Sequence, residues 1–208
     1  MSDALIRAVF FDYDGVLTRD KTGSFTTCRS LAQQTGLPFE AIRAALQPHN
    51  DALNLGRTTH EAIWPSVCAT LKRDIPLGFL TIAFESTPLD DEVMSLARQL
   101  ATRYRVGLIT DNKRDRIDHL RLYQRLDAVF DPIVVSSVVG MGKDSAGIFE
   151  HALAVSGVQP QQAVFIDNSP DNLLTAAALG LHTVHFDDER RDVAALILAL
   201  QRLGVEAS

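Results

Sequence analysis

Val9-Phe10-Phe11-Asp12-Tyr13-Asp14-Gly15-Val16-Leu17-Thr18 decides the fold, because here an apolar run ends in two carboxylates and a glycine. Aromatic and β-branched residues over this length, broken by glycine, predict a buried strand running out at its carboxyl end. Side chains alternate along a strand, so Asp12 and Asp14 project to one side and Tyr13 to the other. The pair then stands at a strand tip, where open parallel sheets bind their ligands. Two carboxylates at close range repel, and without a cation one of them takes up a proton, so the arrangement asks for a metal. Gly15 lets the backbone leave at an angle that a Cβ would hinder. The plainer reading of the same residues is an exposed Asp-x-Asp-Gly turn after a core strand.

Around that stretch lies a chain of 208 residues, 46% apolar and 22% charged, enough for one large domain or one domain with an insert. No apolar run is long enough to span a membrane, and Asp3 precedes the first apolar stretch. Neither a membrane partner nor a secretory signal is expected, and a cytoplasmic protein is the default. Cys28 and Cys68 have neither metal-ligand spacing nor a disulfide framework, which fits a reducing compartment and a packing role. The net charge of −6 argues against nucleic acid as a partner, and an anionic small substrate needs local cations to offset it. A monomer or a homodimer is expected.

In chain order, residues 5 to 12 read as the first strand, and Gly15 to Ser24 as a loop or small hairpin with Lys21, Thr22 and Gly23 at its tip. From about Phe25 to Glu85 the pattern is helical pieces broken by glycine and proline, with helix starts at Pro38 and Thr59. Leu89 to Arg103 is an amphipathic helix and Tyr104 to Thr110 a second strand. A helix over 114–125 leads to a third strand, Ile133 to Ser136. Ser145 to Ser156 is helical, and Gln162 to Asp167 is a fourth strand ending in a carboxylate. Asn172 to Leu179 is a helix closed by Gly180, His182 to Phe186 a fifth strand, and Val193 to Leu203 the last helix. Strands alternating with helices predict an α/β fold, a doubly wound parallel sheet with a small all-helical insert after the first strand. The expected domains are a core of 1–17 and 87–208 and a cap of 18–86.

Three strands thus end in groups suited to phosphoryl chemistry: Asp12 with Asp14, then Thr110 with Asp111 and Asn112, then Asp167. Lys143 follows the third strand. In an open parallel sheet these ends meet in one crevice, so a single site explains them economically. Phe10 to Leu17 resembles the first motif of the haloacid dehalogenase-like (HAD) hydrolase superfamily. Leu108-Ile109-Thr110 resembles the second, Ser136 to Lys143 the third and Val164 to Asn172 the fourth. The helical insert resembles the cap of one subclass, nearest the glucose-1-phosphatase-like members.

That resemblance implies a Rossmann-like core and a Mg²⁺-dependent phosphatase acting on a small phosphorylated metabolite, such as a sugar phosphate, through an aspartyl-phosphate. Asp12 would be the nucleophile and Asp14 the general acid and base. Thr110 and Lys143 would be catalytic as well, holding a phosphoryl oxygen and neutralising shared charge. Thr110, Asp111, Asn112 and Lys143 would bind substrate. Asp12, Asp14 through its backbone carbonyl, and Asp167 would hold the metal, a hard-oxygen set that suits Mg²⁺. The acid at Asp14 favours phosphate esters over dehalogenation; a phosphomutase or a weakly active binding or regulatory protein of the same fold are the alternatives.

The sequence departs from the family's pattern at Asp144, which would loosen the Lys143 loop, at Val138, and at Asn168, which replaces a second aspartate. Asp171 is the candidate to compensate. For leaving-group recognition the polar candidates are Lys21, His49, Asn50, Arg57 and His60, each weighed against a solvated position on the cap. Trp64, Phe79 and Phe84 read as cap packing, His182 and His185 as structural, and Asp187 to Asp192 as an acidic helix start.

Overall fold

The computed structural model describes residues 5–206; Asp3 and the outermost residues of the expected core lie outside them. Ala8–Phe11 forms the first strand, β1, and all four residues are buried. Alternation divides it: Val9 and Phe11 enter one apolar core, Ala8 and Phe10 another on the opposite face. Only a central strand is covered on both sides in this way. Next come the helices of the insert: α1 (Gly23–Thr35), α2 (Phe39–Leu46), α3 (Asn50–Asn54), α4 (His60–Leu71) and α5 (Phe79–Glu85). Thr22 and Thr59 cap α1 and α4 by accepting from the amides of Phe25 and Ala62. Trp64 is buried among them and donates to the Ile75 carbonyl at 2.7 Å, so its packing role holds.

The stretch 15–24, expected as a loop or small hairpin, does not pair with itself as a hairpin. Thr18 instead bridges antiparallel to Leu89, so the two connections of the insert run side by side, and Gly23 and Ser24 already belong to α1. The chain continues through α6 (Asp91–Leu100), β2 (Arg105–Thr110), α7 (Arg114–Tyr123), β3 (Ile133–Val135), α8 (Ser136–Val139) and α9 (Ala146–Ser156). It closes with β4 (Ala163–Asp167), α10 (Pro170–Ala178), β5 (His182–His185) and α11 (Val193–Arg202). The five parallel strands lie in the order β3-β2-β1-β4-β5. α6, α7 and α11 pack on the Val9 and Phe11 face; α9 and α10 pack on the Phe10 face. Ser136 leaves the third strand for α8, and α10 starts at Pro170, two residues before the expected Asn172.

This order places the reversal of the sheet between β1 and β4, where doubly wound folds open a crevice. Phe11 lies beside Ile166, so the next residues, Asp12 and Asp167, leave the sheet together. The Asp12 amide still donates to the Ile166 carbonyl at 2.8 Å. Beyond it the chain turns sharply at Gly15, whose φ is +84° and whose Cβ, if present, would meet the Asn168 amide at 2.5 Å. Arg191 fastens that turn by donating to the carbonyls of Gly15 (3.0 Å) and Val16 (2.8 Å) and to Asp90 (2.8 Å). The acidic run is therefore more than a helix start. Asp192 caps α11 through the Ala195 amide, Arg191 straps the first turn, and Asp188 accepts from Asn168.

Candidate active site

Lys143 joins the two strand tips. Its ammonium lies 2.9 Å from Asp12 Oδ1 and 2.7 Å from Asp167 Oδ2, and all three residues are buried. Asp12 Oδ1 also accepts from the Tyr13 amide at 2.7 Å. Asp167 accepts from the Ser169 amide (2.7 Å) and the Asn172 side chain (3.0 Å). Burial raises the Asp12 carboxyl well above the usual carboxylate range; Lys143 opposes that shift and Asp167 adds to it. Burial works against the Lys143 charge too, but Asp12, Asp167 and Asp111 outweigh it and hold the ammonium protonated. Asp144 is exposed, and the Lys143 amide beside it donates to Asp111 at 3.0 Å.

Asp14 is held from behind by a residue that the sequence reading missed. Arg116, in the first turn of α7, donates Nη1 to Asp14 Oδ2 (2.8 Å) and Nη2 to Oδ1 (2.9 Å), a two-pronged pair with the arginine 1% exposed. Asn112 adds a third bond to Oδ2 at 2.7 Å and itself accepts from Arg116 at 2.9 Å. The i, i+4 spacing of Asn112 and Arg116, and an arginine in a helix first turn where the dipole disfavours cations, were the available signals. α1 approaches so closely that a Cβ on Gly23 would lie 2.3 Å from Arg116 Nη1. Glycine at that position is what lets the insert rest on the guanidinium.

Asp12, Asp14, Thr110, Asp111, Lys143 and Asn172 line a cleft of about 310 Å³ that the insert closes with Lys21 and the start of α1. Asn112, expected at the substrate, is buried behind Asp14 rather than lining this cleft. Asp171 is exposed; because α10 begins at Pro170, its neighbour Asn172 is the residue that turns inward. Among the recognition candidates Lys21 lines the cleft, and Asn50 and His60 line an adjoining cavity, while His49 and Arg57 line neither. His60 is buried, with Nδ1 2.7 Å from Asp115 on α7, rather than solvated.

Among the described residues no three His, Cys, Asp or Glu side chains converge as a metal cluster, because the Asp14 carboxylate is turned to Arg116. What remains is a pair of hard carboxylates, Asp12, which lines the cleft, and Asp167, which is fully buried and does not line it, and among the described residues no histidine or cysteine lines the cleft. A buried acid pair answered by one ammonium is short of positive charge, and few oxygen ligands fit Mg²⁺.

A family model of haloacid dehalogenase-like hydrolases matches residues 6–180. The chain belongs to this family. A HAD-like hydrolase from Porphyromonas gingivalis superposes with a TM-score of 0.73 at 24% identity, covering 98% of this chain and all of that one. A HAD family enzyme from Bacteroides thetaiotaomicron, solved with magnesium and inorganic phosphate, gives 0.67 at 18% identity over 86% and 93% of the two chains. An L-2-haloacid dehalogenase from Xanthobacter autotrophicus gives 0.67 at 15% identity over 93% and 82%. By sequence, this HAD hydrolase is 26% identical over 201 residues to glyceraldehyde 3-phosphate phosphatase of Pyrococcus abyssi, covering 88% and 82% of the two chains. It is also 40% identical over 58 residues to mouse acyl-CoA dehydrogenase family member 10, a match that spans 28% of this chain and 5% of that protein. Among the described residues no helix is long and apolar enough to cross a membrane.

Proposed function

We propose that this HAD hydrolase is a Mg²⁺-dependent phosphatase of a small phosphorylated metabolite, working through an aspartyl-phosphate on Asp12, with the helices of 18–86 as its cap. The observation that carries the reading is the buried Asp12–Lys143–Asp167 contact with the acid of Asp14 in the same cleft. Support also comes from the phosphatase name of the Pyrococcus relative and the magnesium and phosphate of the Bacteroides neighbour.

Asp12 Oδ1 is occupied by Tyr13 and Lys143, which leaves Oδ2 to attack phosphorus and form the acyl phosphate as the ester oxygen departs. Asp14, its carboxylate fixed by Arg116 and Asn112, passes a proton to the leaving alcohol and later takes one from water. Thr110 and Lys143 hold the phosphoryl oxygens, and Asp12 and Asp167 with the Asp14 carbonyl would hold the ion. Bound Mg²⁺ supplies charge neutralisation at the phosphoryl group. Asn168, engaged with Asp188, and the exposed Asp144 leave the Asp12–Lys143–Asp167 contact intact, which supports this reading over a weakly active relative.

Phosphate release from p-nitrophenyl phosphate tests it. Wild type is expected to turn over only with Mg²⁺, and Asp12→Asn to lose roughly 10⁴-fold or more with an unchanged circular dichroism spectrum. Retained turnover in Asp12→Asn removes the nucleophile assignment.

A further inference from the structure

Beside the phosphate cleft the insert encloses a second space, a cavity of about 380 Å³. That is more than twice the roughly 150 Å³ that accepts benzene in an engineered protein cavity. Its lining surface is mostly apolar, supplied by Phe25, Cys28, Phe39, Leu46 and Leu53, with polar side chains such as Thr27 and Asn50 set among them. Phe25 and Phe39 stand with ring centroids 5.5 Å apart, and Phe25 remains 45% exposed although it sits on a helix face directed at this space. Of the four basic side chains that line it, three are already committed. Arg116 serves Asp14, His60 serves Asp115, and Arg43 serves Glu40 and Gln47.

Lys113 is the exception. It borders both the cavity and the cleft, is 8% exposed, and its ammonium has one hydrogen-bond partner, Ser24 Oγ at 3.0 Å. Among the described residues no carboxylate comes within ion-pair distance of it. A buried, unpaired ammonium between a phosphate site and an apolar chamber is costly unless a ligand oxygen completes it. Burial accordingly pulls the Lys113 amine down to about 8, with Arg116 adding to the shift.

We infer that the substrate is the phosphate monoester of an apolar, ring-sized alcohol, whose body fills the Phe25–Phe39 cavity while Lys113 at the neck meets the oxygens of the phosphoryl ester itself. This rests on the phosphatase reading and narrows it away from sugar phosphates. Most of the lining surface is apolar, so those hydroxyls of a polyhydroxylated body that face Leu46, Leu53 and the two phenyl rings would lack partners, with Thr27, Gln47 and Asn50 able to answer only some of them.

The test compares benzyl phosphate with glycerol 3-phosphate, whose leaving alcohols have similar acidity, so that binding rather than leaving-group strength is read. We expect kcat/KM at least tenfold higher for benzyl phosphate, carried in KM, and a roughly tenfold smaller ratio in Phe25→Ala. Calorimetry with benzylphosphonate and methylphosphonate in the presence of Mg²⁺ reads the same preference without turnover. Equal affinities, or a preference for glycerol 3-phosphate, overturn the inference and leave the phosphatase intact. Selective benzylphosphonate binding without hydrolysis of either ester overturns the phosphatase reading and leaves the cavity assignment standing.

Discussion

The strand-tip cleft and the cavity of the insert share a wall at Lys113 and Ser24, yet they are built on opposite principles. In the cleft the acids are answered by neighbouring cations: Asp12 and Asp167 by Lys143, Asp14 by Arg116. In the cavity the lining surface is mostly apolar, and among the described residues one of its two buried cations, Lys113, has no acid within ion-pair distance. A pre-paired polar site stays rigid and can stabilise charge that develops during a reaction. An apolar space with one unanswered charge is arranged to receive something. On the proposed reading, the core would supply chemistry and the insert choice.

The largest break in this contrast comes from Lys143→Met, which strands two buried carboxylates. Turnover should fall roughly 10²–10³-fold. Urea denaturation without metal should show a loss of about 3–5 kcal/mol, with Mg²⁺ restoring part of it. A variant as stable as wild type would mean that the acids do not depend on this ammonium.

Arg116→Lys keeps a charge but loses the two-pronged grip on Asp14. Steady-state kinetics should show kcat down roughly tenfold to a hundredfold, with little change in KM. An effect confined to KM would make Arg116 part of the insert's docking surface instead.

Lys113→Met should move stability the other way. The folded-state value of about 8 lies below the unfolded value near 10.5, so below pH 8 both states carry the proton and folding bears the full burden of burying it. Between pH 8 and 10.5 the folded protein releases its proton first and wild-type stability rises. The variant should be more stable than wild type at pH 7, by at most about 3 kcal/mol. Denaturation across that pH range should show the gap closing, and a constant gap would contradict an unpaired Lys113.

The smallest change sharpens how the insert sits. Gly56 has φ +67°, and a Cβ there would lie 2.0 Å from the Ser137 carbonyl oxygen on the core. Gly56→Ala should cost about 1–2 kcal/mol and raise KM severalfold without touching kcat. Kinetics with the preferred ester would read it.

The cleft was far more legible in the sequence than the cavity. Strand tips are local signals, an apolar run ending in an acid, and the parallel register then fixes that Asp12 meets Asp167. Arg116 stayed hidden because its partner lies 102 positions away and its own neighbourhood reads as an ordinary charged helix. The inward turn of Asn172 rather than Asp171 was hidden because helix phase depends on where the first turn starts, and Pro170 sets it two residues before the expected start. The cavity left no sequence trace, since Phe25, Phe39 and Leu53 come from three helices whose packing no local spacing encodes. Asp188, read as part of a helix start, proved to hold the residue that faces Gly15.

Acid quenching of the enzyme during turnover of benzyl phosphate with Mg²⁺, followed by peptide mapping, tests the central claim most directly. The account predicts a phosphoryl group, labile to hydroxylamine, on the peptide carrying Asp12 and absent without Mg²⁺. Steady turnover with no labelled peptide, or with the label on a different residue, would contradict it.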